Sequence, residues 1–140
     1  MKVSTKGLYG TLAILDLAIH YSTGHIHKAD IAARQEIPEQ YLAQLLAVLR
    51  RAGYVNSVRG PAGGHTLARR PNEISVGEVI ELLDVAGGSD TTQSGTIGRS
   101  LVTGILREAD AAAAKILYDM KFDKLVEHWR SAEGALDFMI

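Results

Sequence analysis

Leu8, Leu12, Leu15 and Ile19 recur at i, i+4, i+7 and i+11, the spacing of one helix face, and Ser4 stands at an N-cap position. Tyr21-Ser22-Thr23-Gly24 closes this segment. A short helix is predicted over about Lys28 to Gln35, with Ile31 and Ala32 facing inward. Pro38 opens a third helix, since proline is tolerated in a first turn. Its buried stripe is Leu42, Leu45, Leu46 and Leu49, and Gly53 ends it. The texture then changes. Tyr54-Val55-Asn56-Ser57-Val58 has the β-branched and aromatic content of a strand, and Gly60-Pro61-Ala62-Gly63-Gly64 reads as a turn. His65-Thr66-Leu67-Ala68 returns as a second strand.

Ser75-Val76-Gly77-Glu78 has the form of a capping box and leads into a helix through Val79, Ile80, Leu82 and Leu83. Residues 86–96 carry almost no apolar mass and read as a mobile loop. Ile97 to Asp119 is the longest predicted helix, about 35 Å at the standard rise. Its apolar positions include Ile97, Leu101, Val102, Ile105, Leu106, Ala109, Ala112, Ala113, Ile116 and Leu117. That stripe is wider than one small domain needs, which predicts packing on a second chain. Leu125, Val126 and Trp129 start a short final helix, and Gly134 is expected to release a tail ending in Phe138-Met139-Ile140.

The expected fold is mainly α with a small β-hairpin: a winged helix-turn-helix domain over 1–85, a flexible loop over 86–96, and a dimerisation helix, end helix and tail over 97–140. With 140 residues, 46% hydrophobic and 22% charged, a buried core is expected. There is no apolar run near membrane-spanning length, and the N-terminus lacks the apolar stretch of a secretory signal, so a cytoplasmic protein is expected. The absence of cysteine excludes disulfides, thiolate metal sites and cysteine nucleophiles. The net charge of −1 hides an asymmetry: residues 1–71 hold 9 Lys and Arg against 4 Asp and Glu, whereas residues 72–140 hold 6 against 12. A basic half joined to an acidic half suggests that only one of them meets a polyanion.

The helix from Pro38 carries a polar face of Gln40, Gln44, Ala47 and Arg51 opposite its leucines. Two amides and a guanidinium can hydrogen-bond base edges or phosphates, and Tyr41 can meet a phosphate or a thymine methyl. Arg50 adds charge near the end of the helix. Arg59 sits on a tip of small residues that can approach a minor groove, whose negative potential attracts arginine. With Lys6, Lys28, Glu39, Gly63, Gly64 and His65, these residues form the candidate surface for double-stranded DNA. His25-Ile26-His27 is a loop pair that could touch a metal or stay idle on the surface. His128 and Trp129, near Tyr118, are read as packing, and Asp110, Asp119 and Asp123 as a solvated face. No nucleophile, base and orienting group can be assembled by spacing, so no enzyme is expected.

Met1-Lys2-Val3-Ser4-Thr5-Lys6-Gly7-Leu8-Tyr9-Gly10, Ile31-Ala32, Tyr41-Leu42-Ala43-Gln44-Leu45-Leu46, Leu49-Arg50-Arg51-Ala52-Gly53-Tyr54-Val55, Arg59-Gly60-Pro61-Ala62-Gly63-Gly64 and Ser75-Val76-Gly77-Glu78-Val79-Ile80 together resemble the Rrf2 family of bacterial transcription regulators. The resemblance runs from Met1 to about Asp84 and beyond that rests on architecture. It implies a homodimeric winged-helix protein, expected to be a repressor, on a palindromic operator. By position it implies that Gln40, Tyr41 and Gln44 read or brace the major groove and that Arg59 enters the minor groove. Two positions depart from the family pattern. Position 43 is Ala where some members carry an acidic residue, and His65 follows the wing glycines where Tyr is usual.

Many members hold an iron–sulfur cluster on three cysteines in the loop before the long helix. Here Ser94 and Ser100 have the gap expected between two such ligands, with Ser89 upstream, and serine is a poor cluster ligand. No cofactor is therefore expected. The chain is either a naturally cluster-free member or a serine-substituted form of a cluster sensor, and the serine spacing can also arise by chance in a loop. Cysteine-free members include proteins similar to the repressor of cysteine metabolism, which implies an enzyme partner such as cysteine synthase. The tail Phe138-Met139-Ile140 resembles peptides that enter that enzyme's active site. The competing reading, placed first, folds Phe138 and Met139 back onto the dimer.

Overall fold

A computed structural model describes residues 2–84 and 95–139. Six helices and one hairpin follow in the order α1 (Thr5–Ile19), α2 (Lys28–Gln35), α3 (Glu39–Arg51), β1 (Val55–Val58), β2 (Gly64–Leu67), a 3-10 turn at Pro71–Glu73, α4 (Val76–Asp84), α5 (Ile97–Asp119) and α6 (Phe122–Met139). This is the winged helix-turn-helix layout with a long appended helix.

Helix α1 begins where Ser4 accepts a hydrogen bond from the Gly7 N–H at 3.1 Å. Its most buried face is Gly7, Gly10, Ala13, Ile14, Leu17 and Ala18, not the Leu8–Ile19 row. Small residues there let α4 approach closely, and a Cβ on Gly10 would collide with Leu83. Leu12, Leu15 and Ile19 pack at the margin of the core, whereas Leu8 is 52% exposed. The α3 stripe is buried as its periodicity predicts, with Leu42, Leu45, Leu46 and Leu49 all inside. Gly53, just past the C-cap Ala52, takes φ +85° and the chain reverses there: its N–H donates to the Arg50 carbonyl and Tyr54 N–H to that of Leu49.

The strands pair antiparallel, Val55 opposite Leu67 and Val58 opposite Gly64. A third extended segment joins them: Ile26 bridges to His65, so His25-Ile26-His27 belongs to the wing. At Gly64 the backbone needs a residue without a Cβ, because φ is +140° and a Cβ would lie 2.6 Å from the Ile26 carbonyl oxygen.

The capping box at α4 is reciprocal. Ser75 N–H donates to Glu78 Oε2 at 2.8 Å, and Glu78 N–H donates to Ser75 Oγ at 3.1 Å. Tyr54 O–H donates to Glu78 Oε1 at 2.7 Å, and Arg69 stacks over the Tyr54 ring at 4.4 Å. Glu78 thus ties the start of α4 to both flanks of the hairpin. The junction of α5 and α6 docks beside it: Val76 N–H donates to the Met120 carbonyl and Phe122 N–H to that of Ile74, with Phe122 fully buried.

Two expectations fare differently near the C-terminus. Helix α5 occupies the predicted Ile97–Asp119, capped by Thr96, and has no buried residue. The final helix is longer than predicted: α6 continues through Gly134 to Met139, so the chain is not released into a tail there. One interior glycine costs only about 1 kcal/mol, and Ala132, Glu133, Ala135 and Leu136 around it all favour helix. Of the predicted loop over 86–96, residues 86–94, with Ser89 and Ser94, lie outside the described residues, as does Ile140.

Candidate nucleic-acid interface

Helix α3 forms a ridge with a concavity on each side. One, of about 310 Å3, lies between α3 and the wing and is lined by Lys28, Ala43, Leu46, Ala47, Arg50, Ser57, Val58, Arg59 and His65. The other, of about 390 Å3, is lined by Lys6, Tyr41, Gln44, Leu45, Ala47, Val48 and Arg51. Ala47 borders both and marks the crest. The crest is small and the flanks are cationic.

This arrangement follows from the helix period. Placing Leu42, Leu45, Leu46 and Leu49 inward turns Gln40, Gln44 and Arg51 to solvent, and all three are exposed. Tyr41 is half-buried and packs edge-on against Tyr9, with ring centroids 5.5 Å apart, so its position is fixed by α1. Glu39 sits in the first turn of α3, where a carboxylate suits the helix dipole, and approaches Lys28 Nζ at 3.9 Å. Arg59 stands exposed at the hairpin tip. Gly63 is buried against the Val58 carbonyl, and half-buried Gly64 lies against Ile26, so these two glycines shape the wing. His65 is half-buried and shares a 2.8 Å hydrogen bond between Nδ1 and Ser57 Oγ. Burial, then the charges of Lys28 and Arg50 and the neighbouring His25 and His27, holds its pKa below the ordinary histidine value.

The remaining sequence candidates lie elsewhere. Along α5, Ile97 is 82% exposed, Leu101 and Ile105 are 65%, Leu106 is 60% and Ile116 is 68%. Ala109 and Ala112 are also exposed, and Ala113 is half-buried. Ser100 lies exposed in the first turns of the same helix. Phe138 and Met139 belong to α6. No described helix is long and apolar enough to cross a membrane.

One group that positions the interface escapes a reading by amphipathic pattern. Asp16 is completely buried in α1 and receives Arg34 Nε at 3.0 Å, Arg34 Nη2 at 2.9 Å and Gln35 Nε2 at 3.0 Å. These hydrogen bonds, above all, raise the Arg34 pKa beyond its ordinary value. The network locks the end of α2 to α1, the helix against which α3 also packs. Its only signal in sequence is an aspartate within the apolar run Leu15-Asp16-Leu17-Ala18-Ile19.

Comparison with known proteins agrees with this fold. The Rrf2 family, described as an iron-dependent transcriptional regulator, matches residues 3–128. The HTH-type transcriptional regulator IscR of Aliivibrio salmonicida is 39% identical over 132 residues, covering 90% of this chain and 77% of that protein. The structure of T. potens IscR superposes with a TM-score of 0.80 at 36% identity, covering 94% of this chain and 90% of that one. CymR, the global cysteine regulator of B. subtilis, gives 0.76 at 31% identity, covering 91% and 98%. The iron in the family's description finds no matching donor set among the described residues. The chain has no thiolate to hold an iron–sulfur cluster, and among the described residues no three His, Asp or Glu side chains gather as a metal site. The match itself rests on the winged-helix half and its long appended helix, and by both extent and identity the chain belongs to the Rrf2 family of transcription regulators.

Proposed function

We propose that this chain is a homodimeric repressor that binds a palindromic operator, with α3 in the major groove, Arg59 in the minor groove and α5 pairing the subunits. The observation that carries the DNA geometry is the cationic flank on both sides of the α3 ridge. A helix lying in a major groove has a phosphate strand on either side. Lys28, Arg50, Arg59 and His65 line one side, and Lys6 and Arg51 the other. Gln40 and Gln44 project from the ridge between them with the amide groups that suit base edges. The exposed stripe of α5 supports the dimer, and two-fold pairing accounts for a palindromic site.

Capture of the C-terminus by a metabolic enzyme has less support, because Phe138 and Met139 continue a helix and do not form an extended peptide.

The test is selection of bound fragments from genomic DNA, followed by titration of the recovered palindrome against random duplex. Specific binding that weakens steeply with salt is expected, since phosphate contacts release counterions. Arg59→Ala should weaken operator binding about tenfold while the dimer persists. Equal affinity for palindrome and random duplex would refute the operator reading. Repression is checked by transcription from the recovered promoter with and without the protein.

A further inference from the structure

The cleft between α3 and the wing gathers more titratable groups than a plain phosphate contact needs. Ile26 N–H donates to the His65 carbonyl at 2.9 Å, and His65 N–H returns a 2.8 Å bond to the Ile26 carbonyl. Alternation along this extended segment sends Ile26 into the core and leaves His25 and His27 exposed beside His65. Lys28 follows at the start of α2, Arg50 approaches from α3, and Arg59 lines the wing side of the same cleft. Behind His65, a smaller void is bordered by His20 and Tyr21 at the end of α1. The carboxylate at this edge is Glu39, 3.9 Å from Lys28 Nζ. With Nδ1 engaged by Ser57, Nε2 is the ring's remaining polar atom.

We propose that this cleft is a proton-coupled phosphate seat, in which a DNA backbone phosphate held by Lys28 and Arg50 is bound together with a proton on His65. The inference deepens the DNA-binding reading and rests on it. A phosphodiester keeps its negative charge across the neutral range. Seated among these cations, it offsets the repulsion that disfavours imidazolium and offers an acceptor to an Nε2–H. Linkage then fixes the direction. A ligand that raises the pKa of a group binds more tightly when that group is protonated, so duplex affinity rises as pH falls. In the free protein, burial and then the charges of Lys28 and Arg50 hold the His65 pKa below the ordinary histidine value, which leaves it room to rise when a phosphate is seated.

The experiment measures duplex affinity at about pH 8 and about pH 5.5, at constant ionic strength, for wild type, His65→Gln and the double variant His25→Gln/His27→Gln. A one-unit rise in the His65 pKa corresponds to a gain that approaches, at most, about tenfold tighter wild-type binding at the acid pH. His65→Gln should lose most of the pH response, and the double variant should keep it. A full response in His65→Gln, or none in wild type, overturns the proposal.

Should His65→Gln fail to fold, the His65 ring protons of the wild type, titrated by NMR with and without duplex, decide the matter. The pKa rises with duplex or the proposal fails. Inorganic phosphate should leave that titration unchanged, and a shift as large as the duplex's would reassign the seat to free phosphate and overturn the DNA form. Failure to bind any duplex at either pH would instead overturn the DNA-binding reading itself.

Discussion

Replacing Arg34 with alanine would leave the Asp16 carboxylate buried with only Gln35 Nε2 as a side-chain donor at hydrogen-bond distance. Breaking a fully buried ion pair typically costs 3–5 kcal/mol. Arg34 is 41% exposed while Asp16 is 1% exposed, so water can reach the vacated side. The expected loss for Arg34→Ala is therefore about 2–3 kcal/mol, measured by urea unfolding. Asp16→Asn should cost less than Arg34→Ala, because it removes the buried charge along with its partner's attraction. A surface-pair value below about 0.5 kcal/mol for Arg34→Ala would show that Asp16 is well hydrated in solution. The network also shows why side-chain partnerships of this kind are hard to read from a chain. The aspartate is conspicuous in an apolar run, but its partners lie 18 and 19 positions away on another helix.

At the scale of elements, Glu78 holds the start of α4, the end of the hairpin and the approach of α6 together. Burial pushes its carboxyl pKa up, but the Ser75 N–H, the Tyr54 and Ser75 hydroxyls and the Lys121 charge outweigh burial and hold it below the ordinary value. A carboxylate whose folded pKa is depressed stabilises the fold above its unfolded pKa, and the contribution disappears as pH falls through the folded value. Glu78→Gln should thus be less stable than wild type by about 1 kcal/mol near neutrality. The two should converge as pH falls through the depressed folded pKa of Glu78, which lies below the ordinary glutamate value. Thermal unfolding across that range checks it, and a gap that persists in acid would assign the loss to geometry instead of charge. The capping box was legible because its residues sit three apart. So were the α3 stripe and both hairpin strands, whose periods are local. The Ile26 bridge to His65 and the burial of Phe122 were not, because each depends on a neighbour far along the chain. The extent of α6 is hidden for the opposite reason: Gly134 reads as a stop, although the helix formers around it outweigh it. Of the candidate interface, residue types and the polar face were readable. The two flanking clefts required knowing where Lys6 and Lys28 lie relative to α3.

The whole molecule divides its labour as its charge does. The basic half holds the α3 ridge and wing, and the acidic half holds α4, α5 and α6, so in the proposed complex phosphate attraction and repulsion would both turn the long helix away from the duplex. A 23-residue helix with no buried residue gains little from its own protomer, and its contacts there concentrate at the C-terminal end, where Tyr118 lies over Gly77. Most helical stability in proteins comes from packing an apolar face, so a partner that covers Leu101, Val102, Ile105 and Leu106 is the natural source of its stability. Leu101→Asp/Ile105→Asp should therefore yield a monomer by light scattering. The winged domain should keep its unfolding transition, because both side chains are 65% exposed in the protomer. Operator affinity should fall by about 10²-fold or more, the loss expected when two linked half-site contacts become independent. Binding to a single half-site should change little. A double variant that stays dimeric would move the subunit interface off α5, and a monomer that still binds the full palindrome at wild-type affinity would remove dimerisation from the recognition mechanism.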